Sequence, residues 1–311
     1  NVIETTPLKL NEHLSEEFGA KIYLKREDLQ VVRSYKIRGA YNFMSQLNSA
    51  QKKVGVVCAS AGNHAQGFAM SCSILKIKGV VFMPVTTPKQ KITAVERLGK
   101  KYVEIVLIGD TYDDAKSAAL KYVQKENKIF VPPFDHKLII EGQGTVAAEV
   151  TEQIGKKKID YIFVPIGGGG LAAGVITYFS EISPSTKIIG VEPQGAPAMA
   201  EAIKRNKTII LEKIDNFIDG AAVKQVGQHT MPICKKGLEE IVLVPEGKVC
   251  TNILQLYNND AIVVEPAGAL SIAALDFYKE KIKGKTVVCI VSGGKNDIER
   301  MPDIKERSLI Y

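Results

Sequence analysis

The stretch YIFVPIGGGGL, residues 161–171, says more about the fold than any other part of this sequence. Residues 161–166 form a short apolar run rich in β-branched and aromatic side chains, which predicts a buried strand. A helix is predicted from Leu171 onward, and between the two stand Gly167, Gly168, Gly169 and Gly170. Consecutive glycines lose much chain entropy on folding, so we interpret them as a close backbone approach to a ligand.

This turn between a strand and a helix also predicts an anion site. The first N–H groups of a helix have no partner within the helix, and the helix dipole favours negative charge there. We therefore expect a phosphate group to bind the backbone of residues 167–171.

Strand and helix patterns alternate along the whole chain. Short β-branched runs separated by amphipathic or small-residue helices predict an α/β protein with open, largely parallel sheets. Because ten strands are many for one sheet and a polar, lysine-rich stretch covers 152–158, we expect a second sheet to begin near there. The predicted strands are 21–25, 54–59, 79–83, 104–108, 128–131, 161–166, 187–191, 241–244, 261–264 and 286–291.

Composition places the chain among ordinary globular proteins with room for two domains. It has 311 residues, of which 45% are hydrophobic and 24% are charged. We expect no targeting segment and no membrane span, because no apolar stretch is long enough to cross a bilayer. The net charge of +7 is spread along the chain, without the basic clusters that favour nucleic acid binding, and suits a small anionic ligand.

Cysteine usage predicts a reducing environment. The five cysteines are an odd number, have no C-x-x-C spacing and lie mostly in apolar contexts. We expect buried thiols in a cytoplasmic protein, and neither a disulfide framework nor a zinc site.

A second motif places Lys36 where a cation is normally disfavoured. Ser34 is a good N-cap, and the apolar spacing after it predicts a helix whose first turn contains Lys36. The helix dipole repels an ammonium group there by up to about 1 kcal/mol. This favours the neutral amine, the form that makes a Schiff base with an aldehyde cofactor. The alternative for a single lysine is a side chain that simply extends to solvent.

The third motif follows the strand that ends at residue 59. It consists of Ser60, Ala61, Gly62, Asn63 and His64, and a helix is predicted after it. A strand, a tight turn and a helix start again present free N–H groups, which suit a carboxylate or a phosphate. The Asn63 amide is able to bond a ligand hydroxyl, and His64 is able to donate a hydrogen bond. The alternative is that both residues merely cap the helix.

The fourth motif is Ser292, followed by two glycines at the end of the strand 286–291. Ligands of parallel sheets bind at the carboxyl ends of strands, where the other motifs also lie. Ser292 is suited to hydrogen-bond a ring nitrogen, although an ordinary turn explains the same residues.

A dinucleotide site is the rival interpretation of the glycine turn. Gly167, Gly169 and Ala172 satisfy a loose G-x-G-x-x-A pattern, and Glu192 follows at about the distance expected for a ribose ligand. This pattern leaves the Lys36 and Asn63 motifs unexplained, whereas one phosphorylated aldehyde accounts for all of them.

Taken in order, SYKIRG (34–39), SAGNH (60–64), GGGGL (167–171) and SGG (292–294) resemble the threonine (serine) dehydratase branch of the fold type II pyridoxal phosphate enzymes. The resemblance runs from Thr5 to Tyr311. It implies two open parallel-sheet domains of the tryptophan synthase beta type. The smaller domain, residues 37–141, would be inserted in a larger one made of residues 1–36 and 142–311. We also expect a homodimer or homotetramer.

The resemblance assigns a role to each motif. Lys36 would be the Schiff base lysine and general base, Asn63 would contact the 3-hydroxyl of the cofactor, and Ser292 would face its pyridine nitrogen. The amides of Gly167, Gly168, Gly169, Gly170 and Leu171 would hold its phosphate, and Ser60, Ala61, Gly62, Asn63 and His64 would hold the substrate carboxylate.

The implied reaction is the β-elimination of L-threonine to 2-oxobutanoate and ammonia, and of L-serine to pyruvate. Three alternatives stay open: a serine racemase, a β-replacement enzyme of the cysteine synthase type, and a module that binds the cofactor without turnover. In the racemases a serine acts from the second face at the position of Ala61, so racemisation should be weak. Their divalent metal site would use Glu192 with residues near Ala196 and Ala198, and its last carboxylate is an alanine here, so we expect no metal.

Biosynthetic threonine dehydratases continue from a stretch like 307–311 into a regulatory domain that binds isoleucine. We expect that domain to be absent here, and isoleucine to leave the activity of these residues almost unchanged.

Overall fold

The computed structural model describes residues 3–309 as two sheets with helices packed around them. The predicted α/β class with largely parallel sheets is confirmed. The strands are β1 (Leu8–Leu10), β2 (Lys21–Arg26), β3 (Val56–Ala59), β4 (Gly79–Met83), β5 (Val103–Leu107), β6 (Ile129–Phe130), β7 (Tyr161–Pro165), β8 (Lys187–Pro193), β9 (Glu240–Val244) and β10 (Thr286–Val291).

Helices connect the strands in nearly every case. Within residues 3–309, none of them is both long and apolar enough to span a membrane. Short 3-10 turns lie at Glu27–Leu29, Lys100–Tyr102, Ala274–Tyr278 and Ile298–Arg300. The α-helices are α1 (Glu12–Phe18), α2 (Lys36–Ser45), α3 (Ser49–Val54), α4 (Asn63–Leu75), α5 (Lys89–Gly99), α6 (Tyr112–Lys125), α7 (Lys137–Ile154), α8 (Gly170–Ile182), α9 (Ala198–Lys204), α10 (Thr230–Gly237), α11 (Glu246–Asp260), α12 (Pro266–Ala273), α13 (Lys279–Ile282) and α14 (Met301–Ser308).

The larger sheet has the strand order β1-β2-β10-β7-β8-β9. Only β1 is antiparallel to its neighbour, and β10 pairs with β2 on one side and β7 on the other. Both faces are covered by apolar cores, which explains the nearly continuous hydrophobic runs of the central strands. The start and the end of the chain therefore meet in the middle of this sheet.

The smaller sheet has the order β5-β4-β3-β6 and is entirely parallel. All its strands come from residues 56–130, between two segments that build the larger sheet. This agrees with an inserted small domain, while the boundaries at 36/37 and 141/142 stay a prediction. The stretch 152–158 does not introduce a second sheet, because β7 joins the sheet already begun by β1 and β2.

The strand predictions agree with the structure to within two residues at each end, apart from one addition and one omission; the strand predicted at 54–59 begins at Val56, because Val54 ends α3 and Gly55 caps it. The prediction of a strand at 261–264 is wrong, because the segment has no ladder partner within 3–309 and begins with Ala261, the left-handed C-cap of α11. Its alternating apolar side chains report alternating burial, since Ile262 and Val264 are buried and Val263 is exposed. The short edge strand β1 gave no pattern long enough to detect.

A network of charges, largely buried, joins α2, α7 and the end of β2. The Arg38 guanidinium, on α2, donates to both carboxylate oxygens of Glu27 at 2.8 and 2.8 Å, and to those of Glu149 at 2.7 and 2.8 Å. The Lys25 ammonium reaches Glu149 at 2.5 Å and the Thr6 carbonyl at 2.6 Å. Arg38 is 3% exposed and Glu27 is fully buried, so these charges depend on one another for solvation.

Replacing one member of this network should destabilise the fold strongly. Arg38→Met leaves Glu27 buried without its partner, and we expect a loss of about 3–5 kcal/mol in the free energy of unfolding, measured by urea denaturation. Arg205→Met, which removes an exposed guanidinium that pairs with Glu201 at 3.3 Å, is the control and should change little. Equal stability losses for the two variants would contradict the role given to the network.

Candidate active site

Lys36 lies at the start of α2, as predicted. Its ammonium group donates to the Pro133 carbonyl at 3.0 Å and lies 5.4 Å from the centre of the Tyr35 ring. Burial lowers the pKa of Lys36 to about 8, against a smaller opposing effect of the Glu265 carboxylate. The expectation of an easily deprotonated lysine is therefore met, but desolvation is the main cause, where the sequence argument relied on the helix dipole.

Ser34 does not cap this helix. The N-cap residue is Tyr35, which makes no side-chain capping bond, and the Ser34 hydroxyl is buried without a hydrogen-bond partner. Ser34 instead forms an isolated antiparallel bridge with Gly293, and the Tyr35 N–H donates to the Ser292 carbonyl at 3.2 Å. The Lys36 and Ser292 motifs are thus joined through the backbone.

The Ser292 side chain is buried at the end of β10. Its hydroxyl donates to the Ala267 carbonyl at 3.2 Å, and its two lone pairs stay available as acceptors. A neutral hydroxyl is the only group that Ser292 offers to a ligand ring.

The loop from Ser60 to Gly62 connects β3 to α4, and Gly62 is the N-cap of that helix. The Gly62 N–H donates to the Ser60 hydroxyl at 3.1 Å, which closes the turn. A Cβ on Gly62 would meet no protein atom within 4 Å, so this side of the loop faces open space. The first-turn N–H groups of Asn63 and His64 have no acceptor within the helix. Together these features suit an anionic ligand group.

Asn63 and His64 point to different neighbours. The Asn63 amide donates to the Glu265 carboxylate at 2.6 Å. The His64 ring is buried, and its Nε2 contacts the Val131 carbonyl at 3.0 Å, which requires the proton on that nitrogen. Burial, and then the nearby Lys36, lower the pKa of His64 to about 3, so the ring is neutral. We infer that His64 serves the site through its backbone N–H, since its ring is already bonded within the protein.

Glu265 is a site residue that the sequence analysis missed. It lies just before α12, and a Cβ on Gly293 would collide with its carboxylate. Burial raises the pKa of Glu265 to about 8. The signal was present, because an acidic residue directly follows the apolar stretch 261–264.

The glycine turn presents a row of free amide groups. Gly169 has a φ of +92°, which favours glycine, and α8 begins at Gly170. Within residues 3–309, the N–H groups of Gly168, Gly169, Gly170 and Leu171 have no acceptor in the protein, and these residues are buried. Buried N–H groups almost always have a partner, so this row indicates a bound anion.

The four glycines are required for packing within the protein as well. A Cβ would collide with the Phe134 ring at Gly168 and would lie 3.0 Å from the Phe134 Cβ at Gly170. At Gly167 it would lie 3.0 Å from the Ala221 carbonyl oxygen, and at Gly169 it would lie 2.6 Å from the end of Met199. The sequence analysis explained these glycines by close approach to a ligand. The structure adds a second reason, which is close packing against other parts of the protein.

Residues 132–136 bring the separate motifs together, which the sequence analysis also missed. In this segment, Pro133 accepts from Lys36, Phe134 covers the glycine turn, and Asp135 accepts from the N–H groups of residues 228 and 229. On another side, a Cβ on Gly67 would lie 3.0 Å from the Ile37 nitrogen, so α4 packs closely on the Lys36 backbone. Contacts thus join all four predicted motifs in one region, which we call the cleft.

Glu192 is not available to a ribose or a metal ion. It is fully buried in β8, and its two carboxylate oxygens accept from the N–H groups of Met199 and Ala200 at 2.7 and 2.8 Å. Burial raises the pKa of Glu192 to about 8. The dinucleotide interpretation loses its ribose ligand for this reason. Within 3–309 the structure also has no group of three or more His, Cys, Asp or Glu residues placed to hold a metal.

The cleft fits pyridoxal phosphate. It combines an amine of lowered pKa at Lys36, unpartnered amides at the glycine turn for a phosphate, and a neutral hydroxyl at Ser292 for a ring nitrogen. Asn63, whose amide donates to Glu265, completes the set.

Glu265→Gln should remove a pH dependence of stability. The folded chain holds the Glu265 pKa at about 8, above its ordinary value of 4.5. A raised pKa gives stability that is complete below the ordinary value and is lost as the pH rises through about 8. Measured by urea denaturation without added cofactor, wild type should therefore lose stability relative to Glu265→Gln between about pH 5 and about pH 9. Glu17→Gln, at an exposed position, should keep the wild-type profile. Parallel profiles for wild type and Glu265→Gln would contradict the assignment.

Comparison with known proteins agrees with this chemistry. The chain is 59% identical over 311 residues to the biosynthetic L-threonine dehydratase IlvA of Halalkalibacterium halodurans, covering 100% of this chain and 75% of that protein. It is 54% identical over 311 residues to the same enzyme of Bacillus subtilis, covering 100% and 74%.

Solved structures give the same result. The processed form of threonine deaminase isoform 2 from Solanum lycopersicum superposes with a TM-score of 0.94 at 41% identity, covering 99% of this chain and 89% of that one. Maize serine racemase gives 0.90 at 28% identity, covering 99% and 93%. The family model described as "Pyridoxal-phosphate dependent enzyme" matches residues 1–293, and the chain belongs to that family.

Proposed function

We propose that the chain is a pyridoxal phosphate-dependent lyase that dehydrates and deaminates L-threonine to 2-oxobutanoate and ammonia, and L-serine to pyruvate. The observation that carries this proposal is that the Lys36 amine, of lowered pKa, bonds to the Pro133 carbonyl, next to the Phe134 side chain that packs on a glycine turn with unpartnered amides. Identity of 59% to a biosynthetic L-threonine dehydratase over the whole chain supports the substrate and a place in isoleucine biosynthesis.

Each residue of the cleft would bind a different group of the cofactor. Lys36 would hold its aldehyde carbon, the amides of Gly167 to Leu171 its phosphate, Ser292 its ring nitrogen and Asn63 its 3-hydroxyl. When bound, pyridoxal phosphate supplies an electron sink that weakens the bonds at Cα of the substrate. For the Asn63 contact, the amide oxygen and the second N–H of the amide nitrogen are both available, since only one N–H donates to Glu265.

Lys36 also serves as the base. A Lys36 amine not bonded to the cofactor would accept the Cα proton, and a pKa near 8 suits proton transfer at neutral pH. The loop from Ser60 to His64 binds the substrate carboxylate through its N–H groups, which fixes the Cα–H bond toward Lys36. Ser292 offers a hydroxyl and no charge, so it does not protonate the ring. To bond an unprotonated ring nitrogen, its O–H would turn from the Ala267 carbonyl and donate to that nitrogen. Loss of the β-hydroxyl is then favoured over transamination.

Racemisation is the alternative that one observation favours, namely the similarity in fold to a serine racemase. The fold is shared with maize serine racemase, but Ala61 carries no proton at the position expected to act on the second face of the substrate. The relatives described above are dehydratases at much higher identity. These points favour elimination.

We infer that the protein is cytoplasmic and assembles as a homodimer or homotetramer. All five cysteines are buried as free thiols, which supports a reducing compartment.

Lys36 should carry the cofactor. Borohydride reduction followed by peptide mapping should place a pyridoxyl group on Lys36, and Lys36→Ala should lower turnover at least about thousandfold. Lys187→Ala, which changes an exposed lysine at the start of β8, should leave turnover unchanged. A label on another lysine, or a colourless protein, would overturn the assignment.

Elimination should exceed racemisation. With L-serine, we expect at least about 100-fold more pyruvate than D-serine, because Ala61 has no proton to give. Ala61→Ser should raise the D-serine fraction, measured by chiral chromatography, whereas Ala61→Gly should not. Comparable yields of D-serine and pyruvate from wild type would contradict this prediction.

A further inference from the structure

Backbone sterics alone do not fix the orientation of the peptide between Gly168 and Gly169. It is flanked by glycines on both sides, and Gly169 already has a φ of +92°. Glycine populates positive and negative φ about equally, so backbone sterics do little to stop this peptide from flipping. A flip would exchange the directions of its N–H and its carbonyl, and a carbonyl oxygen facing an anion repels it.

The shortest bond that holds this orientation comes from one side chain. The Thr230 hydroxyl, at the start of α10, donates to the Gly168 carbonyl at 2.6 Å, and Thr230 is fully buried. A second, longer bond to the same carbonyl comes from the Gly227 N–H at 3.3 Å. Since C=O and N–H point in opposite directions in a trans peptide, fixing the Gly168 carbonyl also fixes the Gly169 N–H. That N–H is one of the row without a protein acceptor.

The segment 132–136 holds Thr230 in place. The Asp135 carboxylate accepts from the N–H groups of Gln228 and His229, both at 2.8 Å, immediately before Thr230 in the chain. A Cβ on Gly227 would collide with the same carboxylate, so the contact is close. The preceding residue, Phe134, covers Gly168 itself. Asp135 therefore fixes the segment that carries the Thr230 hydroxyl.

We propose that Thr230 and Asp135 are positioning residues for the cofactor phosphate: Thr230 locks the Gly168–Gly169 peptide so that its N–H faces the anion, and Asp135 orients Thr230. Neither residue touches the phosphate. This inference rests on the proposed function, because it takes pyridoxal phosphate as the group that the glycine turn holds.

The test measures binding of pyridoxal phosphate to the purified full chain after removal of the cofactor. Thr230→Val keeps the shape of the side chain and removes the hydroxyl, and we expect the dissociation constant to rise about tenfold. Thr230→Ser restores the hydroxyl and should bind nearly as wild type. The matched control is Thr186→Val, because the buried Thr186 hydroxyl also donates to a backbone carbonyl, that of Ile159 at 3.0 Å.

A second readout separates positioning from a general loss of stability. At saturating cofactor, the phosphorus NMR signal of the bound phosphate should shift in Thr230→Val and stay at the wild-type position in Thr230→Ser and Thr186→Val. Asp135→Ala should weaken binding in the same direction. The double variant should lose less than the product of the two single effects, because both residues act on one peptide.

Several outcomes would overturn the proposal. They are a dissociation constant for Thr230→Val within about twofold of wild type, an unchanged phosphorus signal, or an equal loss in Thr186→Val. If Thr230→Val does not fold, Asp135→Ala decides by the same two measurements, since its side chain is 25% exposed. Failure of wild type to bind pyridoxal phosphate would instead reject the proposed function, so the two failures are distinguishable.

Discussion

The buried pairing of Arg38 with Glu27 and Glu149 is the constraint on which the position of the active site depends. Charges this far from water are tolerated only when each has its partners, so the three side chains permit one arrangement of the elements that carry them. Arg38 lies two residues after Lys36 on α2, Glu27 follows β2, and Glu149 is on α7. The network therefore fixes Lys36 relative to the large sheet and to α7.

Helix α7 extends this constraint to the phosphate site through contacts that only glycine allows. A Cβ on Gly142 would lie 2.6 Å from the Arg38 carbonyl oxygen, so α7 and α2 meet at the backbone. Farther along, a Cβ on Gly174 of α8 would lie 2.5 Å from the Gly144 nitrogen. Such close packing leaves little freedom to slide. The amine of Lys36 and the free amides at the start of α8 are thus held at a fixed spacing, as one cofactor bound at both ends requires.

Desolvation of the cleft then sets the chemistry of its titratable groups. Burial lowers the pKa of Lys36 to about 8 and raises that of Glu265 to about 8. Both shifts favour the neutral form, which is the form that Lys36 needs for its proposed roles as nucleophile and base. The His64 ring is also neutral, because burial and the nearby Lys36 lower its pKa to about 3. The cleft offers an amine that gives up its proton more easily than an ordinary lysine, together with amide dipoles and one hydroxyl, which suits a cofactor that brings its own charge.

The sequence by itself determined the alternation of strands and helices, the parallel sheets and the four motifs, because these depend on local patterns of burial and on glycine turns. Position on the chain was enough to place Lys36 at the start of a helix and the glycine turn before α8.

Only the tertiary structure decided which other residues these motifs contact. Asn63 meets Glu265, 202 residues away, and Gly168 meets Thr230, 62 residues away. Contacts of this kind leave no periodic trace, since each depends on how the two sheets and their connecting segment pack. For the same reason the sequence predicted the lowered pKa of Lys36 and misjudged its main cause: burial is a property of the folded chain.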